Sequence, residues 1–146
     1  MNRVSKAAKA LAEWPEEVRV EIRASMDIVA ARRTGRELAM KMGFGESEVT
    51  LIAAAISEIG RNIVDYAKEG VMVFERVQHA DKGGLLITAR DRGPGIPDID
   101  QAMQYGYSSR QGRGVGLPGA KWLMDEFDIC SKPGQGTTVT MTKWLS

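Results

Sequence analysis

Leu85-Leu86-Ile87-Thr88-Ala89-Arg90-Asp91-Arg92-Gly93-Pro94-Gly95-Ile96-Pro97 is the stretch on which the reading of this chain turns. Its first half is an apolar, β-branched run that reads as a strand. Its second half breaks at Asp91 into a glycine and proline turn composition. From 91 to 119 the chain carries seven glycines and three prolines among polar residues, with little apolar periodicity, and a loop of that length inside a small domain is usually functional. An acidic side chain where a strand ends is able to accept a hydrogen bond from an exocyclic amine. Glycines such as Gly93 and Gly95 let the backbone approach a flat ring with no Cβ in the way. Taken alone, D-x-G-x-G is more often a tight turn.

Working backwards, residues 71–77 read as a second strand, joined to 85–91 across the polar turn Asp81-Lys82-Gly83-Gly84 as an antiparallel hairpin. Before it lies the clearest helix of the chain, over 47–66. Ser47 is its candidate N-cap, and Val49, Ile52, Ile56, Ile59, Ile63 and Tyr66 form a stripe spaced three and four apart. Glu58 and Asn62 are neighbours on one face of that helix, about a hundred degrees from the stripe. A carboxylate is able to take a hydroxyl proton and an amide oxygen is a hard ligand for magnesium, so the pair suits phosphoryl transfer. Without further context it reads as the helix's solvated face. Residues 26–42 are helical in pattern and stop at Gly43, where a left-handed residue is commonly needed. Val18, Val20 and Ile22 alternate with charged neighbours as an edge strand does. Residues 1–15 are rich in Ala and Lys, reach Pro15, and read as a short helix or frayed tail.

Working forwards, Gly112-Arg113-Gly114-Val115-Gly116-Leu117 opens a helix over 117–127. Free backbone N–H groups and the positive end of a helix dipole suit a phosphate chain there. No G-K-[ST] follows and no strand directly precedes, which excludes a Walker loop and a dinucleotide fingerprint. Ser108, Ser109, Arg110 and Arg113 are polar neighbours able to touch phosphates. Strands over 127–131 and 137–144 flank a turn at 132–136, and Thr137 at the start of the last strand is able to reach an adenine pocket. The order strand, helix, helix, hairpin, loop, helix, hairpin packs as an α/β (α+β) two-layer sandwich, a mixed, mostly antiparallel sheet covered on one face by helices.

Composition narrows the classes. The 146 residues fit one domain, 43% are apolar and 27% charged, and 20 Lys plus Arg stand against 19 Asp plus Glu, interspersed. That pattern excludes a disordered chain and argues against a nucleic-acid partner. Cys130 and His79, the single cysteine and histidine, are too few for a disulfide or a structural zinc site. No window approaches the roughly 18 apolar residues of a membrane span, and residues 1–12 lack a signal-peptide core. A cytoplasmic protein without membrane contact is expected.

Four weak signals in one order carry more than any one of them. E-x-x-x-N at Glu58 and Asn62, D-x-G-x-G-I-P at 91–97, G-x-G-x-G-L at 112–117 and Gly136-Thr137 resemble the N box, the two glycine boxes and the closing Gly-Thr of GHKL ATPases, whose Bergerat fold is the sandwich derived above. Within them the chain resembles the small bacterial serine kinases and anti-sigma factors, and among these the switch kinases of bacterial stress signalling. The resemblance runs over Met26-Asp27-Ile28-Val29-Ala30-Ala31-Arg32, Glu58-Ile59-Gly60-Arg61-Asn62-Ile63, Gly116-Leu117-Pro118-Gly119, Leu123-Met124-Asp125-Glu126-Phe127 and Lys143-Trp144-Leu145.

The resemblance implies an ATP-binding kinase domain over 18–146, with 1–17 as an extension, using ATP and Mg2+. It implies Glu58 as general base, Asn62 on magnesium, Asp91 on the adenine amine, and Gly93, Gly95 and Ile96 by the ring. Gly112, Arg113, Gly114, Val115, Gly116 and Leu117 would surround the phosphates, with Thr137 at the adenine pocket and Asp65 supporting a metal-bound water. Implied partners are STAS-domain stressosome proteins as substrates and a PPM-type serine phosphatase switched on after release. Arg110 and Arg113 stand where the family's lid is often small. An anti-sigma factor that sequesters a sigma factor in an ATP-bound form is the rival reading. A histidine kinase would need a phospho-accepting histidine on a dimerisation helix, and His79 falls in a predicted hairpin. Chaperone and topoisomerase ATPases need further domains than this length holds.

Overall fold

The structure, a computed structural model, describes residues 17–96, 103 and 116–146. In chain order the elements are β1 (Glu17–Ile22), α1 (Ser25–Met42), α2 (Glu46–Asn62), a π-helical turn (Ile63–Ala67), β2 (Gly70–His79), β3 (Lys82–Asp91), α3 (Gly116–Leu123), β4 (Glu126–Lys132) and β5 (Gly136–Trp144). The strands form one sheet in the order β1-β2-β3-β5-β4, antiparallel at every seam. This is the expected two-layer sandwich with β1 at an edge. Among the described residues no helix is long and apolar enough to cross a membrane.

Period-two alternation turns Ile22, Met72, Phe74, Leu85, Ile87, Ala89, Val139 and Met141 to one side of the sheet. There they join Ile28, Ala31 and Leu38 of α1 and Val49, Ile52, Ile56 and Ile59 of α2 in one buried cluster. A helix laid on that face removes its own apolar stripe and the sheet's from water together, the main favourable contribution to the fold. The helix starts and stops follow local chemistry. The Asp27 carboxylate accepts the N–H groups of Arg23 and Ala24 at 2.8 and 3.0 Å, satisfying donors at the start of α1. Gly43 ends that helix at φ 98°, as expected.

Four expectations need correction. Helix α2 starts at Glu46 with Gly45 as its N-cap and no side-chain cap, so Ser47 does not cap it; acidic Glu46 and Glu48 occupy the first turn, where the helix dipole favours them. Tyr66 leaves the buried stripe and is 44% exposed. The cause is the π-helical turn, closed by Lys68 N–H to the Ile63 carbonyl at 2.9 Å, whose extra residue shifts the phase of every side chain after Ile63.

The hairpin between β2 and β3 turns at Ala80 and Asp81, since His79 pairs with Lys82 and Ala80 takes the positive φ of 56°. Gly83 and Gly84 therefore lie inside β3. Gly84 is paired with Trp144, and a Cβ there would sit 2.6 Å from the indole, so this glycine serves an aromatic neighbour across the seam and not a turn. Lastly, α3 ends at Leu123, earlier than the expected 127, and Phe127 belongs to β4. Asp125 is drawn onto β5, with its N–H on the Thr142 carbonyl at 3.0 Å and its Oδ2 accepting the Trp144 N–H at 2.7 Å. Buried Lys143 completes this junction, donating to the Leu123 carbonyl at 3.0 Å and pairing with Glu48 and Asp125 at 3.4 and 3.5 Å. Together these contacts hold the end of α3 against the start of α2.

Candidate functional site

Glu58 lies in α2 and is only 8% exposed, so it is not on a solvated face. A buried carboxylate must be paired or hydrogen-bonded, and Glu58 has two partners. Its Oε2 accepts the N–H of Gly116, the first residue of α3, at 2.9 Å, and its Oε1 is paired with the Arg61 guanidinium one turn further along α2. Asn62, half-buried, closes α2 on the same side just before the π-helical turn. The first box and the start of the second glycine-box helix are thus brought into direct contact.

Asp91 is the last residue of β3 and 8% exposed. Its Oδ1 accepts two backbone N–H groups, from Gly93 at 2.9 Å and from Thr137 at 3.1 Å. A carboxylate offers about four lone-pair positions, so Oδ1 is committed to the protein while Oδ2 keeps its acceptor capacity. Thr137, 5% exposed, comes from β5, and the Asp91 carboxylate therefore joins the first glycine box to the closing Gly-Thr.

The glycines of the first box are accounted for by the protein's own packing. A Cβ on Gly93 would lie 2.6 Å from Cβ of Ala67 in the π-helical turn, which sets the box against the end of the Glu58 and Asn62 helix. Gly95 has φ 81°, and a Cβ there would overlap the Lys132 carbonyl. The same segment is fastened to the β4–β5 turn by Gly134 N–H to the Pro94 carbonyl at 2.8 Å and by Ile96 N–H to Ser131 Oγ at 2.7 Å. Ser131 Oγ also lies 2.8 Å from Thr137 Oγ1. Gly136 is the tightest point, with φ 86° and a Cβ that would overlap the Asp91 carbonyl. Gly136→Ala combines left-handed strain with a backbone collision, and is expected to cost about 2–4 kcal/mol. Urea unfolding should show this as a lower midpoint at unchanged slope.

Gly116 and Leu117 open α3, Gly116 at φ 64° and Leu117 buried. Gly112, Arg113, Gly114 and Val115 lie outside the described residues, as do Pro97, Ser108, Ser109, Arg110 and residues 1–16. Among the described residues no group of three or more His, Cys, Asp or Glu side chains is placed to hold a metal ion. A single amide oxygen at Asn62 still fits magnesium, which keeps several waters and takes its remaining ligands from substrate phosphates.

Two residues of the site escaped the sequence reading. Arg61 could have been found from its i,i+3 spacing to Glu58. Ser131 is a polar residue on the inward phase of β4, in step with Phe127 and Ile129, which is a signal only once that strand's phase is known.

Residues 47–146 match the family described as histidine kinase-, DNA gyrase B-, and HSP90-like ATPase. The chain belongs to this ATPase family. Among curated members it is 49% identical over 126 residues to the serine/threonine-protein kinase RsbT of Bacillus subtilis (strain 168), covering 86% of this chain and 95% of that protein. It is also similar to the anti-sigma F factor of Pasteuria penetrans, 40% identical over 105 residues, 67% of this chain and 69% of the relative. The family fold is visible in a mycobacterial sensor histidine kinase, MprB, which superposes with a TM-score of 0.53 at 14% identity, covering 88% of this chain and 97% of that one. The family expected from the order of the four boxes is the family found.

Proposed function

We propose that this chain is a protein serine/threonine kinase that moves the γ-phosphate of ATP to a serine hydroxyl of STAS-domain antagonist proteins, and that release from them lets it activate a PPM-type phosphatase. The reading places the kinase domain at 18–146 and treats 1–17 as an extension. One observation carries it: Glu58 is a buried carboxylate held at the first residue of α3, beside the loop whose glycines would cradle a triphosphate. A carboxylate kept there is of little use to a module that only holds nucleotide, and suits one that must take a proton. The similarity to RsbT, spanning 95% of that kinase, supports the same reading.

In this mechanism Asp91 Oδ2 accepts a hydrogen bond from the adenine amine, with Gly93, Gly95, Ile96 and Thr137 lining that end of the site. The glycine-rich segment 112–117 would offer backbone N–H groups to the phosphates and spread the charge of the transferring group. Asn62 would hold magnesium, whose bound charge offsets that of the phosphates. Glu58 orients the serine hydroxyl and takes its proton as the new O–P bond forms and the bond from γ-phosphorus to the bridging oxygen breaks, ADP leaving with that oxygen.

A second reading is favoured by the anti-sigma F relatives: a module that sequesters a sigma factor in an ATP-bound form. Incubation with Mg·[γ-32P]ATP and purified STAS-domain proteins separates the two. Serine phosphorylation is the expected outcome; tight ATP binding without transfer, together with retention of a sigma factor, would replace the kinase reading with the sequestering one.

A further inference from the structure

We propose that Arg61 is a positioning residue for Glu58, holding the plane of the base so that one lone pair faces the substrate hydroxyl. The inference rests on the reading of Glu58 as general base and goes one step beyond it. The terminal torsion of a glutamate is broad and roughly two-fold, so a carboxylate held through one oxygen still swings about that bond. Glu58 is held through both. Gly116 N–H, from an element far along the chain, fixes Oε2 at 2.9 Å, and the Arg61 guanidinium, from its own helix, fixes Oε1. Donors on different oxygens and from different elements define a plane, and each oxygen retains a second lone pair for a proton in flight.

The two side chains differ in exposure. Glu58 is 9% exposed at its side chain and Arg61 39%, so Arg61 reaches in from the rim. The pair is part-buried, and removing the Arg61 guanidinium leaves the Glu58 carboxylate with the Gly116 N–H, a cost to folding of the same order as that of Glu58→Gln. A loss of stability alone therefore does not report positioning; the split between kcat and KM does. A base within hydrogen-bond reach of its proton loses effectiveness quickly when tilted, so the same residue should matter for turnover.

The test compares Arg61→Met, which keeps the aliphatic stem and high helix propensity, and Arg61→Lys, which keeps the charge, with wild type and Glu58→Gln in full-length protein. Arg61→Met is expected to lower kcat for serine phosphorylation about ten- to a hundredfold, with KM and Kd for Mg·ATP within about twofold and the thermal midpoint lowered no further than in Glu58→Gln. Arg61→Lys should recover part of the loss. A kcat for Arg61→Met within twofold of wild type, while Glu58→Gln is inactive, would overturn the proposal and leave the base assignment standing. A Lys variant no better than Met would overturn it as well, since the cation would then not be what positions the carboxylate. Transfer at the wild-type rate by Glu58→Gln would remove the base reading and this inference with it.

Discussion

Glu58→Gln should transfer phosphate about 10²–10⁴ times more slowly than wild type, the usual contribution of a positioned general base, while binding Mg·ATP within about threefold of it. The separation follows from where Glu58 sits. Its carboxylate touches the first N–H of α3 and the Arg61 guanidinium, and its proposed task begins only when a hydroxyl gives up a proton, so nucleotide affinity has little reason to depend on its charge. Glutamine preserves shape and one acceptor. With that acceptor on Gly116 N–H, its NH2 faces the guanidinium, donor against donor; flipped, it faces the N–H instead. One of two polar contacts is lost in either case, and unfolding should report about 1–3 kcal/mol of destabilisation. Single-turnover transfer, equilibrium ATP binding and a urea titration on the same preparation check all three parts. Transfer at the wild-type rate would remove Glu58 from the role of base.

Asp91→Asn should do the reverse, raising Kd for Mg·ATP about ten- to a hundredfold, as expected for loss of a hydrogen bond to a charged group worth about 1.5–3 kcal/mol. Oδ1 accepts from both Gly93 and Thr137, and an asparagine oxygen in that place keeps both bonds. The substitution therefore acts chiefly at Oδ2, the oxygen proposed to face the adenine amine, which turns from an acceptor into an NH2 donor. Asp91→Ala is a poorer probe because it also strips the two backbone N–H groups of their partner. Calorimetry with Mg·ATP reads the effect directly. An unchanged Kd in Asp91→Asn would mean that adenine is recognised elsewhere.

Much of this is legible in the sequence. The apolar stripe of α2, the glycine after α1 and the alternation in the strands are local patterns, and local patterns are what periodicity reads. The misreadings lie where a distant neighbour, or a local break in the helical period, decides the matter. Gly83-Gly84 looked like a turn because nothing nearby announced that the Trp144 indole, sixty residues on, would lie across Gly84. Tyr66 matched the helical spacing, but the π-helical turn after Asn62 altered that spacing. Glu58 read as solvated because a helix wheel knows one helix, and what covers Glu58 is the start of α3. Four weak boxes in a fixed order carried the site, whereas Arg61 and Ser131 lay outside those boxes' defining positions.

The strand order β1-β2-β3-β5-β4 also bears on how the molecule assembles. β2 with β3 and β4 with β5 are hairpins, closed by short turns and able to form on the microsecond scale. The β3–β5 seam is different: it joins the two hairpins across the whole glycine-rich loop and α3, so its formation carries the larger loop-closure entropy and is the slower event. Asp91 and Thr137 meet across that seam. A nucleotide bound through Asp91, as proposed, would need that seam closed, and its binding would withdraw population from the open forms. On that reading ATP would be a late clasp on folding as well as a phosphate donor.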